Sequence, residues 1–107
     1  MNWSILFVNA VAQAELDALP EDMRARFERI AMLIREHGLE KVHEPYVKHL
    51  DGKLWEMRLK GRDGIARSIY MTASGRRLFI LRTFVKKTEK TPKRELELAA
   101  ARAKDII

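Results

Sequence analysis

The hydrophobic period of this chain changes once, from helical to alternating, and that change limits the fold more than any other feature. Met23, Phe27, Ile30 and Ile34 recur at helical spacing while Arg24, Glu28 and Arg35 fall elsewhere, which predicts an amphipathic helix of about five turns. Pro20 followed by Glu21 and Asp22 marks its start: proline loses nothing in a first turn, and the acids face the positive end of the helix dipole. Gly38 supplies a left-handed stop. Beyond a polar connection through Pro45 the period becomes two. From Leu54 to Lys60, Trp55, Met57 and Leu59 alternate with Glu56, Arg58 and Lys60, so a strand carries a carboxylate and two cations on one face.

The flanks complete the outline. Trp3 to Val8 reads as a short buried strand, followed by a helix with Asn9 near its cap that runs to about Leu19. Leu78 to Val85 is nearly continuous in apolar residues, as a central strand covered on both sides would be. Thr91-Pro92 is expected to cap a last helix whose stripe is Leu96, Ala99, Ala100 and Ala103. The 107 residues are expected to form one α+β domain, spanning 1–107. In it an N-terminal strand and helical hairpin pack on a mainly antiparallel, twisted β-meander, with a helix at the C-terminus.

Two turn signals set an expected register. Asp63-Gly64 and Ser74-Gly75, taken as two-residue hairpins, put Lys60 opposite Arg67 and Arg67 opposite Arg82. One face then holds Trp55, Met57, Leu59, Ser68, Tyr70, Phe79, Leu81 and Val85, and is expected to meet the helices. The other holds Glu56, Arg58, Lys60, Arg67, Arg82 and Lys86, interleaved with Ile69, Ile80 and Phe84. Like charges in such a row are unfavourable, so either an anion offsets them or looser turns shift the register and the cations splay into solvent.

Composition narrows the function classes. The chain carries 21 Lys plus Arg against 15 Asp plus Glu, for a formal charge of +6. Residues 1–52 are net −3 and residues 53–107 net +9, so the basic half is the meander half. That density is either the footprint of a polyanion partner or a solubilising surface. The absence of Cys excludes disulfides and thiolate metal sites, and three scattered His make a weak ligand set; no metal or cofactor is expected. Ile5 to Val8 is too short for a signal-peptide core or a membrane span, so a cytoplasmic protein that does not engage a membrane is expected.

Leu54-Trp55-Glu56-Met57-Arg58, then Arg67-Ser68-Ile69-Tyr70, then Phe84-Val85-Lys86-Lys87-Thr88 with Lys90-Thr91-Pro92, resemble the HigB-type, phage-derived branch of the RelE/ParE toxin superfamily. The order of elements agrees over nearly the whole chain. The resemblance implies a RelE-like small domain and the toxin of a type II toxin–antitoxin system, a metal-independent endoribonuclease that cleaves mRNA, usually on the translating ribosome. It implies a helix-turn-helix antitoxin encoded adjacently and a toxin–antitoxin hetero-oligomer. The matching positions are Glu56 and Arg58, then Arg67, then Lys86, Lys87 and Lys90.

Such chemistry needs no metal, because RNA brings its own nucleophile in the 2′-OH. Arg67 and Arg58 are expected to hold the scissile phosphate. Glu56 is expected either to take the 2′-OH proton or to form a plain salt bridge with Arg58 or Lys60. Lys86 or Lys87 either protonates the leaving oxygen or contacts phosphate; Lys60, Arg82, Lys87 and Lys90 are expected to bind RNA backbone. Trp55 belongs to the core-facing class, which leaves Phe84 as the better base-stacking candidate. His37 and His43 read as helix-end and loop groups, and His49 alone merits a test. Relatives with a His or Tyr acid near the last strand or final helix have no counterpart in that stretch here. Two other readings remain: a ParE-like gyrase inhibitor without nuclease activity, and a phage-derived adaptor that binds nucleic acid or an acidic partner.

Overall fold

The structure, a computed structural model, describes residues 2–87 and 90–106. Its elements are β1 (Ser4–Phe7), α1 (Ala10–Asp17), α2 (Glu21–His37), a 3-10 turn (Leu39–Lys41), β2 (Val47–Asp51), β3 (Leu54–Gly61), β4 (Gly64–Ala73), β5 (Arg77–Lys86) and α3 (Lys93–Ala103). Five strands form one sheet in the order β1-β5-β4-β3-β2, and only β1 and β5 run parallel. This is the expected α+β layout. Thr88, part of the Phe84–Thr88 match, lies outside the described residues.

The signals at Asn9, Pro20 and Gly38 bound helices as expected. Asn9 Oδ1 accepts the Ala12 N–H at 2.8 Å, satisfying a donor that the first turn leaves over. The stripe Met23, Phe27, Ile30 and Ile34 is buried against Met57, Leu59, Tyr70 and Ile80, and Gly38 ends α2 with φ +91°. The β3–β4 turn packs so closely on the start of α2 that a Cβ at Gly61 would stand 2.8 Å from Asp22 Oδ2 and from Met23 Cγ, hence glycine there.

Turn lengths correct the register. Gly61 pairs with Gly64 and Ala73 with Arg77, so Arg62-Asp63 and Ser74-Gly75-Arg76 form the loops. Arg67 consequently lies opposite Arg58, not Lys60, and opposite Phe84, not Arg82; Lys60 faces Ile65 and Arg82 faces Ile69. The expected row of three cations is one like-charged pair. A β-bulge adds a second change: Ile69 pairs with Arg82 but Tyr70 pairs with Ile80, leaving Leu81 as the extra residue. Alternation therefore breaks inside β5. Ile80 joins the α2-side core, while Phe79 and Leu81 move to the face that receives α3. Ser68 stays on the α2 side, bonded to Thr83 across 2.7 Å.

Two members of the expected core face are largely exposed, Trp55 at 39% and Val85 at 44%. β2 is also a correction, since the stretch through Pro45 reads as a polar connection and the first meander strand as Leu54 to Lys60. Val47–Asp51 is short and polar, and its pairing with β3 supplies the order that its own pattern does not. At the opposite side β1 stops at Ile80, and side chains serve the β5 edge beyond it. Glu15 Oε1 accepts the Thr83 N–H at 3.3 Å and Arg102 Nη1 donates to the Leu81 carbonyl at 2.8 Å, so the edge is not left open.

Candidate active site

Alternation along β3 sends Glu56, Arg58 and Lys60 to the face opposite α2, and Arg67, Phe84 and Lys86 share that face. α3 covers its upper part, where Leu96 and Ala99 pack with Ile69, Leu81 and Phe79. Toward the β3–β4 turn the face is more open: Lys60 is exposed, and Arg58, Ile65, Phe84 and Lys86 are half-buried. The covered and open parts meet at Glu56 and Arg67, the first fully buried and the second 5% exposed.

These two side chains form an ion pair, Arg67 Nη1 to Glu56 Oε1 at 3.0 Å. Thr91 joins them. Its hydroxyl donates to the same Glu56 oxygen at 3.0 Å and accepts from Arg67 Nη1. Burying two charges is tolerable only when each is met, and here the meeting is three-cornered. Glu56 Oε2 is buried and has no hydrogen-bond partner among the described residues. The anion offsetting the Arg58–Arg67 pair is thus Glu56, inside the protein. Its partner is Arg67, and neither Arg58 nor Lys60 forms a salt bridge with it.

Arg82 is drawn away from the expected RNA-binding set. Its Nε meets Glu95 Oε1 at 2.9 Å and its Nη1 meets Glu15 Oε2 at 2.7 Å. Arg102 donates to both Glu15 oxygens, at 2.8 and 2.9 Å. Burial pushes the Glu15 carboxyl up, but hydrogen bonds from Arg102, Thr83 and Arg82 with the charge of Arg82 outweigh it and hold the group below its ordinary value. The Glu95 hydrogen bond, against desolvation, raises Arg82. This network ties α1, β5 and α3 together. Lys87 and Lys90 are exposed on the segment leading to α3.

Thr91 is the participant that sequence reasoning missed. It reads as a helix cap, but the N-cap of α3 is Pro92, without a side-chain cap bond, and the hydroxyl serves the ion pair instead. Glu15 and Glu95 were missed because their partners lie 67 and 13 residues away along the chain. His49 stands apart from the pair: its Nε2 is 2.8 Å from the Gly52 carbonyl and its ring meets Trp55 edge-on at 5.1 Å. Both line a groove of about 830 Å³, with Trp3, Val47, Tyr70 and Thr72. Burial raises the Tyr70 hydroxyl pKa there. No three His, Asp or Glu side chains gather as metal ligands among the described residues, and no helix is long and apolar enough to cross a membrane.

A family model described as "Phage derived protein Gp49-like (DUF891)" matches residues 14–104, a span that includes α2, β2 to β5 and α3. The chain belongs to this family. The Gp49-like chain is also similar in structure to the Escherichia coli toxin RelE, solved in the free state as a double Arg-to-Ala mutant. Identity is 17%, each chain is covered over 100% of its length, and the TM-score is 0.61. That likeness shows the fold, which is RelE-like. No curated protein sequence matches the Gp49-like chain.

Proposed function

We propose that this Gp49-like protein is the toxin of a type II toxin–antitoxin system, of the HigB-type branch, and that it cleaves mRNA on the ribosome in the bacterial cytoplasm. The observation that carries the reading is the buried Glu56–Arg67 pair beside Arg58, Lys60 and Lys86 on an open sheet face. A phosphate seated between these cations would lie against the carboxylate. Glu56 then takes the 2′-OH proton through Oε2, and the 2′-oxygen forms a bond to phosphorus as the bond to the 5′-oxygen breaks. Arg67 and Arg58 hold the phosphate and offset the charge that develops on it. Lys86 gives the leaving 5′-oxygen its proton, and Lys60, Lys87 and Lys90 hold flanking phosphates. The products are a 2′,3′-cyclic phosphate and a 5′-hydroxyl, with no metal or cofactor consumed. An adjacently encoded helix-turn-helix antitoxin silences the toxin in a hetero-oligomer.

One observation favours a second reading. With Glu56 fully buried, Arg67 only 5% exposed and both bonded to Thr91, the pair must open before substrate reaches it, and a gyrase-binding toxin of the same fold needs no such opening. Induced expression separates the two. The nuclease reading expects protein synthesis to stop first and transcripts to carry new 2′,3′-cyclic phosphate ends; Lys86→Ala should slow cleavage on the order of 10²-fold, the usual worth of a positioned acid. Thr91→Val should raise cleavage per folded molecule. Arrest of DNA replication with transcripts intact would move the assignment to the gyrase-binding toxin.

A further inference from the structure

We infer that a second subsite for the RNA backbone runs over the outer edge of β3 onto α2, built by Arg26, Arg29, Arg58, Lys60 and Arg62. It rests on the nuclease reading, and it assigns a path to the strand that leaves the reacting phosphate. β2 pairs with β3 only as far as Met57; next along the edge, the Tyr46 carbonyl accepts the Arg58 N–H at 2.9 Å. A groove of about 280 Å³ crosses the edge at this point, lined by Arg26, Pro45, Tyr46, Arg58, Lys60 and Ile65. A second groove, about 690 Å³, continues along α2 past Arg26, Arg29, Lys60 and Arg62. The two share Arg26 and Lys60, so they adjoin at these side chains, and the proposed channel follows both.

Charge and chemistry suit a polynucleotide. Among the described residues none of the five cations forms a salt bridge, in contrast to Arg67, Arg82 and Arg102. Asp22 is the carboxylate lining the channel, and its Oδ2 is engaged by the Arg62 backbone N–H at 2.6 Å. Guanidinium forks match phosphate oxygens, and Arg26 and Arg29 lie three residues apart on one helix face. Tyr46, half-buried and packed in part against the α2-side core, borders the cations, and an aromatic beside cations is the pairing by which single-strand binders hold bases without reading sequence. Arg58 ties the channel to the reacting site, because it lies directly opposite Arg67.

The test uses the full chain and single-stranded RNA bearing 2′-O-methyl groups throughout, which cannot be cleaved, in lengths of about 4 and about 16 nucleotides, the range that small single-strand binders fill. Wild type should bind the longer strand more tightly. Arg26→Ala/Arg29→Ala should lose most of that gain and leave the short strand unaffected. Losing two phosphate contacts should lower the salt slope by about 1.4, so its gap from wild type narrows about sevenfold between ~50 and ~200 mM salt. Arg26→Lys/Arg29→Lys should retain the slope. Equal weakening on both lengths, or none on the longer, would overturn the subsite. Unchanged RNA binding with loss of an acidic antitoxin segment would reassign the channel to a protein partner. If wild type binds neither length the subsite falls, and cleavage of ribosome-bound mRNA then judges the nuclease reading separately.

Discussion

Arg67 faces another arginine on one side and a phenylalanine on the other, and its charge is met by Glu56 within the sheet face. A register that lined Arg67 up between Lys60 and Arg82 would make its removal a relief of repulsion. The observed pairing makes the opposite prediction, because Arg67→Ala strands a fully buried carboxylate. Breaking a buried pair from one side costs about 3 kcal/mol or more, and a urea titration should show a lowered midpoint with little change in slope. Glu56→Leu/Arg67→Met should recover most of that loss, since apolar replacement of both partners leaves no unmet charge. Cleavage should not return with it. Full activity in the stabilised double variant would show the pair to be structural alone. The residue types were legible in the sequence, in the alternation of β3 and in the Trp-Glu-x-Arg segment. Their burial and Thr91 as third partner were not, because both depend on where α3 lands.

At the scale of elements, α3 is held by two kinds of contact. Ala99 and Leu96 supply an apolar stripe against Leu81 and Ile69, as their spacing predicts. The Glu15–Arg82–Glu95–Arg102 network supplies the rest, and it also closes the β5 edge where β1 ends. The sign of its pH dependence follows from Glu15. A carboxyl held below its ordinary value of 4.5 in the folded chain adds stability above that pH, and the contribution is lost as pH falls through the folded value. Glu15→Gln should therefore destabilise the protein at neutral pH by about 1–3 kcal/mol, the cost of leaving charged donors and a strand N–H poorly met. Its stability curve should converge on that of wild type as pH falls through the lowered Glu15 value. Parallel curves down to acid pH would mean that the Glu15 charge does not hold α3. The strands β3, β4 and β5 were readable from alternation; the bulge at Leu81 was not, because a single extra residue leaves the hydrophobic pattern nearly unchanged while moving Phe79, Ile80 and Leu81 to the opposite faces.

At the scale of the whole molecule, the sheet-face cations and the tryptophan groove lie on opposite sides of the sheet. The cations Arg58, Lys60 and Lys86 share the lower sheet face, while the groove of Trp3, Trp55 and Tyr70 lies on the side that carries the α2 core. An antitoxin segment that silences the toxin by covering the cations should be acidic, and its affinity should fall as salt rises, because the Debye length shrinks from about 10 Å at 0.1 M to about 3 Å at 1 M. Calorimetric titration at several salt concentrations reads this directly. Affinity insensitive to salt, with Trp55 fluorescence changing on binding, would place the antitoxin in the apolar groove instead.

What the sequence determined by itself was the identity of the elements other than β2 and the sign of the surface: helical period over 23–34, alternation from Leu54, helix starts at Asn9 and Pro20, and a basic second half. These are local properties, written in residues three, four or two positions apart. The tertiary structure alone decided which charges meet. Glu56 and Arg67 lie eleven residues apart, Thr91 and Glu56 thirty-five, and Arg102 and Glu15 eighty-seven. A shift of two residues in a hairpin keeps every side chain on its face but changes its neighbour, so the hydrophobic pattern cannot report it. Loop length and the packing of α3 settle that choice, and with it whether Arg67 lies in a repelling row or in a buried pair.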